Sequence, residues 1–481
     1  MKLTEAGKYS KAESILVPLV RTMELKKNKS TANATQQLAS VYLLDGKYKE
    51  AEDLEASAKY KHEQQDQKDP ESLILDNYTL ATIYTKEGNY ADAEPLFKEA
   101  IAARNESLKN PSNAAPKIIE APRLASLELG LGTLQFAAGN YKLAEETLQE
   151  AVKLAEADAL EKKSNATPIL AEALEQIALV YQANGKYADA EAVCKRGMRM
   201  IRDSVGMSVP QFVFAANNLM SIYSDQHRYG KVDKLVQAIW AKENAILRPD
   251  HPEILHSKLL NMNCIGHYRH GLPSSQVTAL YDRLTGDFAQ LYGANSPQMI
   301  APYEATGEYE LSIGDYAKAE TNLRAALKLA RKHLSKDHPR TINILDSLAL
   351  TLGFKGFQTK SASDIKEAKA LVREAISKED ASLPIDNPIR ARSLGILASI
   401  FAISDDNEGA YSTFHEYLTA AKEVNYEDPI ERMRFMKNFQ SVLSKLGKKD
   451  EEAQYKDAAE APAPAPSPLP STADPMELDL K

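Results

Sequence analysis

One phrase recurs along nearly the whole chain. It reads EAGKYSKAE near the start, then DGKYKEAE, EGNYADAE, AGNYKLAE and NGKYADAE, and much later IGDYAKAE. Each copy sets a glycine two residues before a tyrosine, followed by a small alanine and a glutamate. In the complete copies an apolar run with its own aromatic precedes the glycine, as in LASVYLL, LATIYTK, LGTLQFA and IALVYQA. A long chain of 481 residues would ordinarily divide into several globular domains. A pattern that returns at a near-constant interval instead points to stacked units, each too small to bury its apolar face alone.

The small residue closing each phrase measures the interval. The marks are Ala12, Ala51, Ala93, Ala144, Ala190, Val232, Ala319, Ala368 and Ala410, with successive steps of 39, 42, 51, 46, 42, 87, 49 and 42 residues. The 87-residue step is about two ordinary steps, so one degenerate copy is expected between Val232 and Ala319. A polar last copy follows in FQSVLSKLGKKDEEAQYKDAAE, with Gly447 at its turn. The total is about eleven units, the first incomplete and the last a cap.

Each unit reads as two helices. Leu38, Ala39 and Tyr42 share one helical face. Gly46 ends that helix, because glycine takes the left-handed conformation that a C-terminal turn requires. Ala51 and Leu54 belong to the second helix. Pro168, Pro210, Pro252, Pro339 and Pro388 mark the starts of first helices, where a fixed φ and a missing N–H cost nothing. Abundant Ala and Tyr, modest Gly and no alternating pattern argue for an all-α chain. The expected fold is an α-solenoid, a right-handed superhelix of ten to eleven antiparallel helix-pair repeats. Its expected divisions are an array over 1–252, a degenerate region over 253–300, a second array with its cap over 301–459, and a tail over 460–481. The tail, APAPAPSPLPSTADPMELDLK, alternates Ala and Pro and cannot continue a helix, so it is expected to be a disordered, extended linker ending in a short acidic-apolar segment.

The residues offer little for chemistry. A net charge of −8 spread along the chain argues against nucleic acid as a main partner, which would need a clustered basic face. The brief basicity at Lys26, Lys27 and Lys29 reads as a solvated helix end. Two cysteines, Cys194 and Cys264, are too few for a disulfide framework. No run of about 18 apolar residues suggests a membrane span, and no signal peptide is visible as written. Met1 to Ala6 supply only the end of a first helix, so either the sequence starts late, which would leave an upstream export signal out of sight, or the first unit is a half-cap. The cytoplasm is the expected setting. Phosphate loops, nucleophile elbows, HExxH helices and CxxC pairs are absent from the sequence. Cys264, His267 and His270 fall at i, i+3 and i+6, a spacing that could present metal donors. Their directions diverge and no carboxylate or second cysteine completes the set, so ordinary surface histidines are the better reading. His251 and His338 belong to a recurring DHP turn and read as helix starters. Acidic pairs such as Glu145–Glu146 and Glu451–Glu452 read as solvated faces. Neither enzymatic activity nor a cofactor or metal is expected.

These phrases resemble the tetratricopeptide repeat and, within it, the long form of kinesin light chains. GKYADAEAVCKRGMRMIRDSVG (185–206), RPDHPEIL (248–255), KDHPRTINILDSLA (336–349) and ANNLMSIY (216–223) carry the likeness. It covers most of residues 1–459. The resemblance implies a non-catalytic scaffold whose concave groove binds a protein or peptide segment. Counted back from the marks, the family's groove positions fall at Gln36, Gln37 and Ser40, at Tyr78 and Thr82, at Leu129 and Thr133, at Glu175, Gln176 and Leu179, and at Asn217, Asn218 and Ser221. Gln37, Tyr78, Thr82, Leu129, Gln176, Leu179, Asn217 and Asn218 are the candidate partner-binding residues. The chaperone-binding subgroup clamps a C-terminal carboxylate with Lys, Arg and Asn; amides, hydroxyls and glutamate stand here, so that clamp is not expected. The asparagine ladder of kinesin light chains survives as a pair only in ANNLMSIY, and no heptad stalk precedes the repeats, which argues against a motor adaptor. The alternative is the repeat portion of a larger signalling or hydrolytic protein whose effector domain lies elsewhere.

Residues 253–300 lack the recurring phrase and hold Gly266, Gly271, Pro273, Gly286 and Gly293. Lower helix propensity there predicts earlier backbone hydrogen exchange than over residues 80–230. Mass-spectrometric exchange checks this, and uniform protection across both regions would count against it.

Overall fold

The computed structural model describes residues 7–26, 28, 30–64, 70–109, 123–161, 167–207, 209–226, 228–268, 273–383, 387–423 and 429–460. Among them are 21 α-helices, one short 3-10 turn and no strand. A single helix, α1 (Tyr9–Leu25), precedes ten pairs. These are α2 (Thr31–Leu44) with α3 (Tyr48–Glu63), α4 (Pro70–Glu87) with α5 (Tyr90–Lys109), α6 (Leu124–Ala137) with α7 (Tyr141–Glu161), α8 (Pro168–Ala183) with α9 (Tyr187–Val205), and α10 (Pro210–Asp225) with α11 (Tyr229–Ile246). Then come α12 (Pro252–Tyr268) with α13 (Ser274–Tyr292), α14 (Ile300–Ser312) with α15 (Tyr316–His333), α16 (Pro339–Thr359) with α17 (Ala362–Ser382), α18 (Pro388–Ile403) with α19 (Asn407–Glu423), and α20 (Pro429–Lys445) with α21 (Lys449–Glu460). The pair α12/α13 is the degenerate copy expected in the long step. The start, Met1 to Ala6, and the Ala/Pro tail after Glu460 lie outside the described residues.

The chain divides into two compact units. Of the described residues, the first unit holds those up to Met220 with Leu235–Ser257; the second holds Ser221–Lys234 and those from Lys258 to Glu460. Within the first unit α1 to α9 pack each on the next, and the first helices α2, α4, α6 and α8 also touch in series. Within the second, α13 to α21 pack likewise, with α14, α16, α18 and α20 touching in series. The first helices therefore form the tighter, inner wall of each unit: an α-solenoid of helix pairs.

Two rows of small residues create the pairs. Every mark from Ala51 to Ala410, including Val232, is fully buried. Twelve residues before its mark each first helix carries a second small residue: Ala39, Ala81, Gly132, Ala178, Gly307, Gly356 or Ala398, with Met220 as the exception. Four residues after the mark comes the group that fills the gap, such as Phe97, Leu148, Leu323 or Phe414, all buried. At Gly132 a Cβ would stand 2.6 Å from Leu148 Cγ, and at Gly307 a Cβ would stand 2.6 Å from Leu323 Cγ. Where the filler is leucine in these two pairs, even a methyl group opposite it is too large.

The turns follow the sequence closely. Gly7, Gly46, Gly88, Gly139, Gly185, Gly314 and Gly447 all have positive φ. In the pair α18/α19, which lacks that glycine, Asp405 occupies the same place at φ 58°. The prolines named above are the first residues of their helices. Side chains just ahead of them cap the freed N–H groups: Thr167 Oγ1 accepts from Leu170 N at 3.3 Å and Asn387 Oδ1 from Ile389 N at 3.0 Å. His338 Nδ1 accepts from Arg340 N at 3.0 Å and His251 Nδ1 from Glu253 N at 3.2 Å. The DHP histidines are thus helix caps, each accepting at Nδ1.

Gly46 and Gly314 separate conformation from space. Gly314, at φ 83°, has only the Tyr316 hydroxyl within reach of an added Cβ, whereas Gly46, at φ 75°, would put its Cβ 2.4 Å from the Pro252 ring. Gly314→Ala is expected to cost about 1–2 kcal/mol, the left-handed penalty alone. Gly46→Ala is expected to cost about 1–3 kcal/mol more through overpacking. Denaturant midpoints followed by circular dichroism measure both, and equal losses would contradict the assignment.

Candidate functional site

The inner wall of the first unit is built from rows counted back from the marks. Fifteen residues before them stand Gln36, Tyr78, Leu129 and Glu175. This row turns toward the second helix of its own pair and meets the filler row. Gln36 Nε2 lies 3.4 Å from Glu55 Oε1, Tyr78 meets Phe97 edge-on at 6.0 Å, Leu129 shares a core cluster with Leu148, and Cys194 Sγ donates to Glu175 Oε2 at 3.1 Å. Partners match in kind, polar to polar and apolar to apolar.

Eleven residues before the marks stand Ser40, Thr82, Thr133 and Leu179, all half-buried along the touching helices. Ser40, Thr82 and Thr133 donate to the carbonyls of Gln36, Tyr78 and Leu129 at 3.1, 2.7 and 2.8 Å. A hydroxyl whose proton is engaged in this way still offers lone pairs outward. Gln37 is exposed beside them and Tyr78 is half-buried. Burial raises the Tyr78 phenol far above its usual range, with the charge of Glu172 adding to the shift. Glu172 is itself solvent-exposed, yet the surrounding protein raises its carboxyl pKa, and Lys86 offsets part of that rise. Tyr78 and Lys86 lie on α4 and Glu172 on α8, so residues two pairs apart face one space.

Of the eight residues expected to bind a partner, the structure leaves Gln37 exposed and Tyr78, Thr82 and Leu179 half-buried. Leu129, Gln176, Asn217 and Asn218 are buried. Asn217 Nδ2 donates to the Glu253 carbonyl and to Glu253 Oε2, both at 3.2 Å, and Asn217 Oδ1 accepts from Ser257 Oγ at 2.6 Å. Asn218 Nδ2 reaches Glu175 Oε2 at 3.4 Å. Both asparagines tie α10 to neighbouring helices. The side chains of Cys264, His267 and His270 lie outside the described residues. Among the described residues no cluster of His, Cys, Asp and Glu has metal-binding geometry.

Buried acids were not legible in the sequence. Gln36 Nε2 bonds Asp76 Oδ1, and His62 joins Asp76 Oδ2 to Asn33 Oδ1 at 2.7 Å on each side. Burial, then the neighbouring Asp76, lifts the Glu55 carboxyl well above the usual range. Burial pushes Glu175 up to about 8 against the bonds from Cys194 and Asn218, which favour its charged form. The second unit holds a different set. Arg340 Nε donates to Glu304 Oε2 at 2.8 Å, Ser347 Oγ to Glu308 Oε1 at 2.8 Å, and Ser393 Oγ to Asp346 Oδ2 at 2.6 Å. Arg392 Nε reaches Glu431 Oε1 at 3.1 Å. Burial raises Asp346 to about 8 and Glu304 to about 7, with Arg392 and Arg340 respectively as the main opposing charges. Charge in mid-helix at the inner-wall positions, as at Glu304 and Glu308, is the signal that could have found this second set.

Three segments, residues 78–112, 170–210 and 307–340, match the family model described as tetratricopeptide repeat. The tetratricopeptide-repeat match rests on these three segments, each of which spans parts of consecutive helices of the solenoid. Among solved structures, it is similar to a Rap protein complexed with competence and sporulation factor, at 12% identity over 90% of this chain and 97% of that one, with a TM-score of 0.42. It is also similar to two crystal structures of a putative kinesin light chain of Podosopora anserina with nearly identical TPR-like repeats, one of them a variant. For the variant the identity is 13% over 54% of this chain and 98% of that one, TM-score 0.28. For the other it is 14% over 53% and 97%, TM-score 0.27. No curated relative matches the chain.

The Glu175 carboxyl sets a pH test. Its folded pKa, about 8, stands above the 4.5 usual for a glutamate carboxyl. The folded state therefore holds the proton more tightly, and Glu175 contributes stability that is full below pH 4.5 and lost as pH rises through 8. Glu175→Gln keeps an acceptor for Cys194 and Asn218 without the charge. At pH 9 it is expected to be more stable than the parent, by on the order of 2 kcal/mol, and the gain should vanish near pH 5. Denaturation midpoints at the two pH values decide this; a pH-independent difference would contradict it.

Proposed function

We propose that this chain is a non-catalytic scaffold that binds an extended segment of a protein partner along the inner wall of its first unit. The observation that carries this reading is the half-exposed row Ser40, Thr82, Thr133 and Leu179, flanked by Gln37 and Tyr78. Three of its four members are hydroxyls whose protons are engaged with the chain's own carbonyls. The row is thus rich in acceptors and suits a partner that brings donors, as the backbone N–H groups of an extended segment do. Leu179 and Tyr78 supply apolar contact area, and exposed Glu172 suits a basic side chain of the partner. Leu129, Gln176, Asn217 and Asn218 support the wall from behind, the two asparagines by holding α10 in place. A net charge of −8 disfavours nucleic acid as the occupant. Among the described residues no helix is long and apolar enough to cross a membrane. The cytoplasm is the proposed setting.

A displayed library of random linear peptides supplies the probe. Peptides selected on the parent protein are expected to lose at least about tenfold in affinity, near 1.4 kcal/mol, on Thr82→Arg and on Leu179→Arg. Glu146→Arg, an exposed change on second helix α7, should leave affinity unchanged. Far-UV circular dichroism confirms that all three variants fold. Undiminished binding by both groove variants, or equal loss in the α7 variant, would overturn the proposal.

A further inference from the structure

The first unit touches itself across an interval that no repeat contact explains. Arg248 Nε donates to Asp45 Oδ1 at 3.1 Å and Arg248 Nη2 to the Asp45 carbonyl at 2.8 Å, 203 residues apart in sequence. His251 Nε2 lies 3.0 Å from the Leu44 carbonyl, and the His251 ring stacks on Tyr9 with centroids 6.0 Å apart and planes 14° apart. Tyr9, Ala12, Val41, Val213, Leu247 and Ile254 form one buried cluster beneath these bonds. Gly7, at φ 68°, sits so close that a Cβ would stand 2.8 Å from Ile246 Cγ2, and Gly46 abuts Pro252 in the same way. Ordinary contacts in a solenoid join neighbours about forty residues apart. Here α1, α2 and the α2–α3 turn meet the end of α11, the loop that joins it to α12 and the start of α12, so the first unit closes on itself.

We propose that this contact is a latch: residues 7–46 dock reversibly on residues 246–254, and the neutral imidazole of His251 holds the two together until acid protonates it. The geometry sets the requirement. Nδ1 accepts from the Glu253 N–H and caps α12, so the ring proton sits on Nε2 and is donated to Leu44. An imidazolium carries hydrogens on both nitrogens and cannot accept from Glu253. Protonation therefore removes the cap of α12 and the acceptor that orients the ring toward Leu44.

The charges around the ring act in both directions. Arg248, from the same loop, opposes a second positive charge, while Asp45 from the α2–α3 turn and Glu253 from α12 favour it. Asp250 engages Arg248. Lys47 bridges Asp45 at 3.1 Å and Glu13 of α1 at 2.8 Å, which leaves the acidic side of the latch largely compensated. Burial keeps the Tyr9 phenol protonated, so α1 faces the ring with a neutral group. Burial is the largest influence on His251 and lowers its pKa from the usual 6.5. The sign follows: the open form binds the proton more readily than the closed form. The latch is strongest above about pH 6.5 and weakens as pH falls, by at most about tenfold in the closed-to-open ratio per pH unit. This is a property of the chain alone and stands whether or not a segment binds the inner wall.

Hydrogen exchange with mass spectrometry, corrected for the intrinsic pH dependence of exchange, tests the latch on the full chain. Protection over residues 41–47 and 246–254 is expected to fall together between about pH 7.5 and 5, while α6 to α9 stay protected. Arg248→Ala should reduce protection in both segments at pH 7.5 by at least about tenfold. His251→Asn keeps a side-chain cap for α12 but does not titrate, so its protection in both segments should not vary with pH. Several results would overturn the proposal: unchanged protection of the parent with pH, the same pH dependence in His251→Asn, loss in Arg248→Ala confined to 246–254, or loss extending through α6 to α9.

Discussion

The close approach of two helices at a pair of small side chains is the contact on which this structure depends. In every marked pair but α10/α11, where Val232 and Met220 take these places, a fully buried alanine on the second helix is matched by an alanine or glycine on the first, and one larger group four residues on closes the gap. Close-packed interiors tolerate little change in volume, so the two small rows and the filler row are set jointly. The glycines at positions 132 and 307 show the limit, since each lies against a leucine that leaves no room for a methyl group. From this contact follow the angle of each pair, the series of touching first helices, and the inner wall those helices present.

The same packing decides which polar groups face solvent. The row fifteen residues before the marks is turned into the pair, so Gln36 and Glu175 meet Glu55 and Cys194 rather than a partner. Their acids are held largely neutral by burial, which is less costly than burying charge. The row eleven residues before the marks rotates outward and stays half-buried. In the second unit the inner positions carry carboxylates answered by Arg340 and Arg392, a wall of different chemistry built on the same backbone plan. One scaffold thus supplies two surfaces, and it is the side chains at fixed rows that differ.

The latch shows the other scale of the architecture. Each pair is rotated slightly against the last, and over five pairs those rotations bring Asp45 to Arg248. The DHP turn at His251 then has two duties. It caps α12, as its counterpart His338 caps α16, and it also docks on the start of the chain.

Local signals made much of the fold legible. The glycine-to-alanine phrase located the turns, the prolines located the helix starts, and the double step located the degenerate pair α12/α13, because each of these depends on a few neighbouring residues. Counting alone put Thr82 and Leu179 on first helices, where the structure leaves both half-buried. The asparagines could not be read that way: whether Asn217 offers its amide outward depends on Ser257 and Glu253, which a neighbouring helix brings to it. Nor could the buried acids, whose state depends on what surrounds them. The sequence by itself determined the helix pairs, their turns and their stacking order, through periodicity and turn chemistry. Only the tertiary structure decided which polar side chains are engaged and that residue 45 meets residue 248, because those outcomes come from rotations accumulated over many repeats rather than from any one of them.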